Sequence, residues 1–267
     1  MTIADQDRRD LETAVELLES PSFVAKLSDL IGEPIEKVVS GLPVKASKRV
    51  EDVVHSALVS LMNLAGRTLG DDRTKPASTI THKLAATVSG AIGGAFGLAA
   101  LSVELPITTS IILRSIADIA RSEGENLDSI EARMACIEVF ALGGSAESDD
   151  ASETGYYAVR AGLSQLAPKA AEQLARSGVS QKGADFVARF VAKISPRFSA
   201  ILGEKLAAQA APIIGAVGGG TINYLFLDHF QNMARGHFIV RRLERDFGDE
   251  VVREEYELAA SELGFRK

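Results

Sequence analysis

Two stretches of this chain, residues 84–103 and 206–227, contain no charged side chain. Each matches the roughly 20 residues that an α-helix needs to cross a hydrocarbon core. That length limits what the rest of the chain can build around them. Their content argues against a simple span. Both are heavy in Ala and Gly and thin in Leu and Ile, with Thr87, Ser89 and Ser102 in the first and Gln209, Pro212, Thr221 and Asn223 in the second. Insertion depends on strongly apolar side chains, so these are weak spans. A buried helix of a globular fold is the first reading, an element that enters a membrane interface the second, and a constitutive span the third.

Glycine spacing adds a second constraint. Gly90 and Gly94, Gly93 and Gly97, and Gly215 and Gly219 are each four residues apart. Glycine inside a helix costs about 1 kcal/mol relative to alanine, so something must offset several of them. Glycines at this spacing make a flat groove that another backbone can approach closely, in water or in lipid. Tight helix crossing is the simplest use. A flexible apolar hairpin that admits an acyl chain or enters a bilayer is the functional one. Neither stretch has the Lys-Ser/Thr ending of a phosphate-binding loop, and neither follows an evident strand.

The remaining pattern is helical almost throughout, since period-two runs of β-branched and aromatic residues are scarce. The periodicity predicts helices over 5–19, over 22–32 with Ser22 as cap, from Pro34, and over 44–66, then a loop at 70–76. Pro106 removes a backbone donor and restrains Leu105, which predicts a break or kink at Glu104-Leu105-Pro106. Further helices are expected over 107–123 with Gly124 as stop, and from Leu127 or Asp128 to Gly143-Gly144. A polar acidic surface loop is expected over 145–155. Helices over 156–166, 168–176 and 181–194 follow, the last broken by Pro196. The second uncharged helix then continues with charge through Arg245. Gly248 ends it, and Asp249 caps a last amphipathic helix to Leu263. The fold class is all-α, a multi-helix bundle around two Gly-rich apolar helices.

Composition removes several functions. One cysteine in 267 residues excludes a disulfide framework and any multi-cysteine metal site. A formal charge of -7, a pI near 5.3 and the lack of tryptophan argue against nucleic acid as a partner. The first ten residues are polar and acidic with no apolar run behind them, unlike a secretory signal, which favours a cytoplasmic setting.

One helix carries a narrow charged line. Arg114, Asp118, Arg121 and Glu125 follow at steps of four, three and four in an otherwise apolar stretch. Buried charges must be paired, so a structural seam is one reading. An anion site is the other, with Arg114 or Arg121 holding a lipid phosphate or a carboxylate. His229 and His237 lie eight residues apart on one expected helix, about 12 Å along its axis, too far to share a metal directly. His55 and His82 stand alone. Cys136, between Ala135 and Ile137, reads as an inert packed thiol. Tyr156-Tyr157 with Arg160 reads as packing over a helix or as the lining of a pocket. No cofactor and no metal is called for, and no spacing singles out a catalytic residue.

Several runs together resemble the EcsC protein family: Gly41-Leu42-Pro43-Val44, the glycine run from Ser89 to Gly97, Glu104-Leu105-Pro106-Ile107-Thr108-Thr109, and Arg114-Ser115-Ile116-Ala117-Asp118-Ile119-Ala120. Glu138-Val139-Phe140-Ala141-Leu142-Gly143, Tyr156-Tyr157-Ala158-Val159-Arg160, and the stretch from Asn223-Tyr224 to Arg235-Gly236-His237-Phe238 belong to the same likeness. It divides the chain into an N-terminal helical extension (1–43), the family-like helical domain (44–256) and a C-terminal helix end (257–267). The resemblance implies a bacterial accessory protein, cytoplasmic or peripheral on the inner face of the cell membrane, with an ABC transporter subunit as partner. It supplies no catalytic residues.

The leading expectation is therefore a non-catalytic helical protein that binds lipid or a membrane surface. Gly90, Gly94, Gly97, Gly215 and Gly219 would permit close approach, and Arg114, Asp118 and Arg121 would form the polar seam beside a head group. The alternatives are a metal-assisted hydrolase with a pocket around Glu104, Asp118, His229 and His237, and a helical scaffold that binds another protein.

Overall fold

The computed structural model describes residues 4–20, 23–31, 101–143, 155–164, 181–210 and 218–266. Among these the chain is all-α, with helices α1 (Asp5–Glu19), α2 (Phe23–Ile31), α3 (Leu101–Ser122), α4 (Ile130–Glu138), α5 (Tyr156–Ser164), α6 (Gln181–Ala210), α7 (Gly218–Phe247) and α8 (Asp249–Glu262), and a short 3-10 turn at Val139–Ala141. The fold class read from the sequence holds. The expected helices or loops at 34–66, 70–76, 84–100, 145–154 and 168–176, the cap Ser22, and His55 and His82 lie outside the described residues.

α7 is the axis of the bundle. α1, α2, α3, α6, α8 and the 3-10 turn all pack against it. Its buried residues Phe226, Leu227, Phe230, Met233, Ala234, Phe238 and Val240 lie on all sides rather than on one stripe, as a helix surrounded by others requires. Phe230 is the centre of an aromatic knot, with ring centroids 5.2 Å from Phe140, 5.6 Å from Phe198 and 5.1 Å from Phe226. Burying such a ring contributes on the order of 2 kcal/mol. Elsewhere a missing side chain sets the packing. A Cβ on Gly236 would meet Leu18 Cγ at 2.6 Å and the carbonyl of Ala14 at 3.1 Å, so this glycine lets α1 cross α7 closely.

Several boundaries fall where the sequence puts them. α1 spans the predicted residues, and α3 stops at a glycine. Gly124 has φ 84°, its N–H donates to the Arg121 carbonyl at 3.1 Å, and Glu125 N–H reaches back to Ala120 at 3.0 Å. Those two bonds satisfy the last carbonyls of the helix through a left-handed residue. Gly248, with φ 90°, separates α7 from α8.

Other expectations are corrected. α3 runs through Pro106, so the chain does not break there and a kink is what is left of that expectation, and α6 runs through Pro196, where a break was expected. A proline inside a helix costs about 3 kcal/mol. At Pro196 the ring faces solvent while Phe190, Val191, Ile194, Phe198, Ile201 and Leu202 are buried on the opposite side, so packing outweighs the lost bond. Ser195 Oγ also donates to the Val191 carbonyl at 2.8 Å. Ser129, rather than Leu127 or Asp128, caps α4, accepting from Ala132 N–H at 3.0 Å. Gly248 occupies the cap position of α8, and Asp249 sits in its first turn.

The largest correction concerns residues 206–227. They do not form one rod. Leu206 lies near the end of α6 and Leu227 lies in α7. Phe198 meets Phe230, and Lys205 Nζ lies 5.1 Å over the Phe226 ring, so the two helices run antiparallel. Lack of charge is common to both arms of such a pair, and hydropathy alone does not mark the reversal.

Candidate functional site

α3 and α7 run side by side in the same direction. Gln231 Nε2 donates to Ser115 Oγ at 2.8 Å, Arg241 Nε to Glu125 Oε1 at 2.8 Å, and Arg242 Nε to Glu123 Oε2 at 3.0 Å. The partners advance together along both helices. Since α6 is antiparallel to α7, α3 and α7 begin and α6 ends at the same end of the bundle.

Among the described side chains, that end carries no exposed charge. Ile107 is 47% exposed and Tyr224 42% exposed. Among the described side chains at 107–113, 198–209 and 220–227 the only charged ones are Glu204 and Lys205, and both are buried. Thr108, Thr109 and Asn223 are buried beside them. The first uncharged stretch leads into α3, and the second covers the end of α6 and the start of α7. Gly219 lies in the first turn of α7. Gly90, Gly94, Gly97 and Gly215 lie outside the described residues.

The opposite end is held by ion pairs. Glu125 accepts from Arg241 at 2.8 Å and from Arg245 at 2.5 Å. Arg242 reaches Glu123 at 3.0 Å, Asp10 at 2.6 Å and Asp7 at 3.4 Å, which ties α1 and the end of α3 to α7. The predicted charged line is divided between these two environments. Arg114 is exposed. Asp118 and Arg121 are buried and paired, Nη2 to Oδ1 at 2.7 Å. Glu125 lies beyond the glycine turn, outside the helix.

A buried polar cluster joins α4, α5, α7 and α8. Tyr156 Oη lies 2.9 Å from His237 Nδ1. His237 Nε2 is 3.8 Å from Glu138 Oε2 and has no hydrogen-bond partner. Burial pushes the His237 pKa well below its ordinary value, with Arg160 and Arg241 adding to the effect, and burial pushes Glu138 up. Arg160 forks onto Glu244 at 2.6 and 3.0 Å, Tyr157 Oη donates to Glu244 at 3.3 Å, and Tyr256 Oη donates to Glu19 at 2.9 Å. Tyr156-Tyr157 with Arg160 thus packs over a helix. The sequence offered no sign of the Tyr156 to His237 bond, because nothing local links two elements so far apart.

His229 is a second buried imidazole, against Phe23 and Phe230. A Cβ on Gly143, which has φ 72°, would lie 2.8 Å from its Nε2, so glycine admits the ring there. Burial first, and then Lys26, lowers its pKa to about 4. A cleft of about 320 Å³ beside it is lined by residues including Ser20, Lys26, Asp29, His229 and Asn232. Cys136 is buried and inert, its pKa pushed up to about 12 by burial. Asp118, His229 and His237 keep separate surroundings, and the side chain of Glu104 lies outside the described ones. Among the described residues no three His, Cys, Asp or Glu side chains gather as metal ligands, and no helix is long and apolar enough to cross a membrane.

A family model, described as the EcsC protein family, matches residues 6–243. The match begins within α1 and ends within α7. No curated protein and no solved structure matches the chain.

Proposed function

From the premise that this chain belongs to the EcsC protein family, we propose that it is a non-catalytic, lipid-interacting helical protein that meets lipid at the uncharged end of its bundle. The observation that carries this reading is the shared beginning of α3 and α7. Both helices start at the end where Ile107 and Tyr224 are exposed and where no exposed charge is described. Both of the long uncharged stretches of the sequence meet the bundle there. Exposed apolar side chains on a surface without charge suit contact with lipid better than contact with water. Arg114 is the exposed arginine of the charged line, and in this reading it would meet a head group. Arg121 serves Asp118 instead.

In this reading the protein works at the inner face of the cell membrane as an accessory. An ABC transporter subunit, implied by the family resemblance, is the partner to seek by co-purification. The direct test of the lipid reading is flotation of the purified protein with vesicles, together with mass spectrometry of a lipid extract. Flotation, or lipid retained through purification, supports it. Lipid-free protein that stays at the bottom of the gradient overturns it.

A further inference from the structure

His229 and Met233 stand four residues apart on α7, so their side chains rise from one face of the helix. Both are buried. Gly143, with φ 72°, lies against them, and a Cβ added there would meet His229 Nε2 at 2.8 Å and Met233 Sδ at 2.9 Å. The nitrogen and the sulfur therefore flank one small space that the missing side chain of Gly143 leaves open. His229 Nε2 has no hydrogen-bond partner. A buried polar atom in that state costs free energy until another group satisfies it. Burial first, and then Lys26, keeps the ring neutral near neutral pH, against the opposing effects of Asp228 and the Leu142 backbone. Neutral imidazole is the form that binds metal. Both residues also line the cleft of about 320 Å³, together with Leu17, Ala25 and the exposed Asp29, which gives an ion a way in from solvent.

The donor set decides which ion. Thioether sulfur and imidazole nitrogen suit a soft ion such as copper(I), whereas magnesium and calcium seek oxygen. Zinc(II) takes four ligands as a rule, and among the described residues no three His, Cys, Asp or Glu side chains gather to supply them. The surroundings are apolar, with the Phe23 and Phe230 rings 5.7 and 5.1 Å from the imidazole. One positive charge is less costly to bury there than two, and aromatic faces favour a cation. Asp228, which Lys26 approaches at 3.8 Å, lends part of a countercharge. Met233 is unbranched and flexible, so its sulfur can move the short distance that coordination needs.

We infer that His229 Nε2 and Met233 Sδ bind one soft monovalent metal ion, of the copper(I) class, in the space beside Gly143. The test uses silver(I) nitrate in chloride-free buffer, a redox-stable probe of that class, added to the full chain with isotope-labelled methionine methyl groups. Each of the four methionines gives its own NMR signal. Cys136 does not compete near neutral pH, because its thiol is buried and its pKa is pushed up to about 12. One equivalent of silver should shift the Met233 signal, and one equivalent of zinc(II) should not. Met233→Leu, which conserves volume, and His229→Gln should each weaken silver binding more than about ten-fold, since loss of an outer partner alone costs roughly that much at a metal site. Met134→Leu should leave it unchanged. No shift with silver, an equal shift with zinc(II), or silver held at Cys136 or another methionine with the Met233 signal unmoved overturns the inference. The labelled native chain gives this answer even where His229→Gln fails to fold.

Discussion

α3 and α7 each end in charge, whereas near their beginnings the described side chains, from Ile107 on α3 and Gly220 on α7, carry none. Where they finish, Glu123, Glu125, Arg241, Arg242 and Arg245 bind the two helices to each other and to α1. Where they start, the described surface shows Ile107, Tyr224 and small or hydroxylated residues, and the charged side chains lie inside. The contrast teaches that the ion pairs joining α1, α3 and α7 are concentrated where α3 and α7 finish. Ion pairs that cross between helices fix one half. Exposed large apolar side chains occur on both sides of this division, Ile107 and Tyr224 where α3 and α7 begin and Leu258, Leu263 and Phe265 on α8 and the turn after it; what sets the first pair apart is that no exposed charge is described beside it.

The comparison can be broken by substitution. The largest effect is expected at the junction of the halves, where Phe230 is fully buried among Phe140, Phe198 and Phe226. Phe230→Ala should cost about 3–5 kcal/mol in chemical denaturation. Acid should weaken the fold next. Both buried histidines have lowered pKa values, His229 to about 4, so the unfolded chain takes up protons first as pH falls below 6.5. Stability should decline through that window by at most about 1.4 kcal/mol per pH unit for each histidine and level off below its folded value. Glu138 acts in the opposite sense, because its raised pKa favours the fold at acid pH and that benefit is lost as pH rises. His229→Gln should flatten the decline between pH 6.5 and 4, measured as denaturation midpoints across the range.

Smaller effects separate the two ends. Glu125→Ala removes the acceptor shared by Arg241 and Arg245 and should cost roughly 2 kcal/mol, less than a fully buried pair because both arginines are partly exposed. Ile107→Ser, at the uncharged end, should change stability by less than about 0.5 kcal/mol, since the side chain is half exposed. The same substitution should still weaken vesicle binding. A loss of stability at Ile107 matching that at Glu125 would show that the two ends are not distinct.

Local signals were legible in the sequence where local chemistry decides. α1, the glycine stops at Gly124 and Gly248, and the inert Cys136 follow from spacing and residue type. The continuity of α3 and α6 across Pro106 and Pro196 is not legible locally, since the forces that carry a helix across a proline come from neighbours that the sequence does not name. The reversal between α6 and α7 was hidden because both arms are equally uncharged. The site shows the same division. The charged line on α3 is visible from its spacing, but whether each member is exposed or paired depends on α7. The Tyr156 to His237 contact depends on helices packed from distant parts of the chain.

Hydrogen–deuterium exchange on the full chain, with and without phosphatidylglycerol-containing vesicles, tests the central claim most directly. Exchange should slow in the first turns of α3 and α7 and stay unchanged across Arg241 to Glu262. Slowing at the ion-paired end, with none where α3 and α7 begin, would contradict the account.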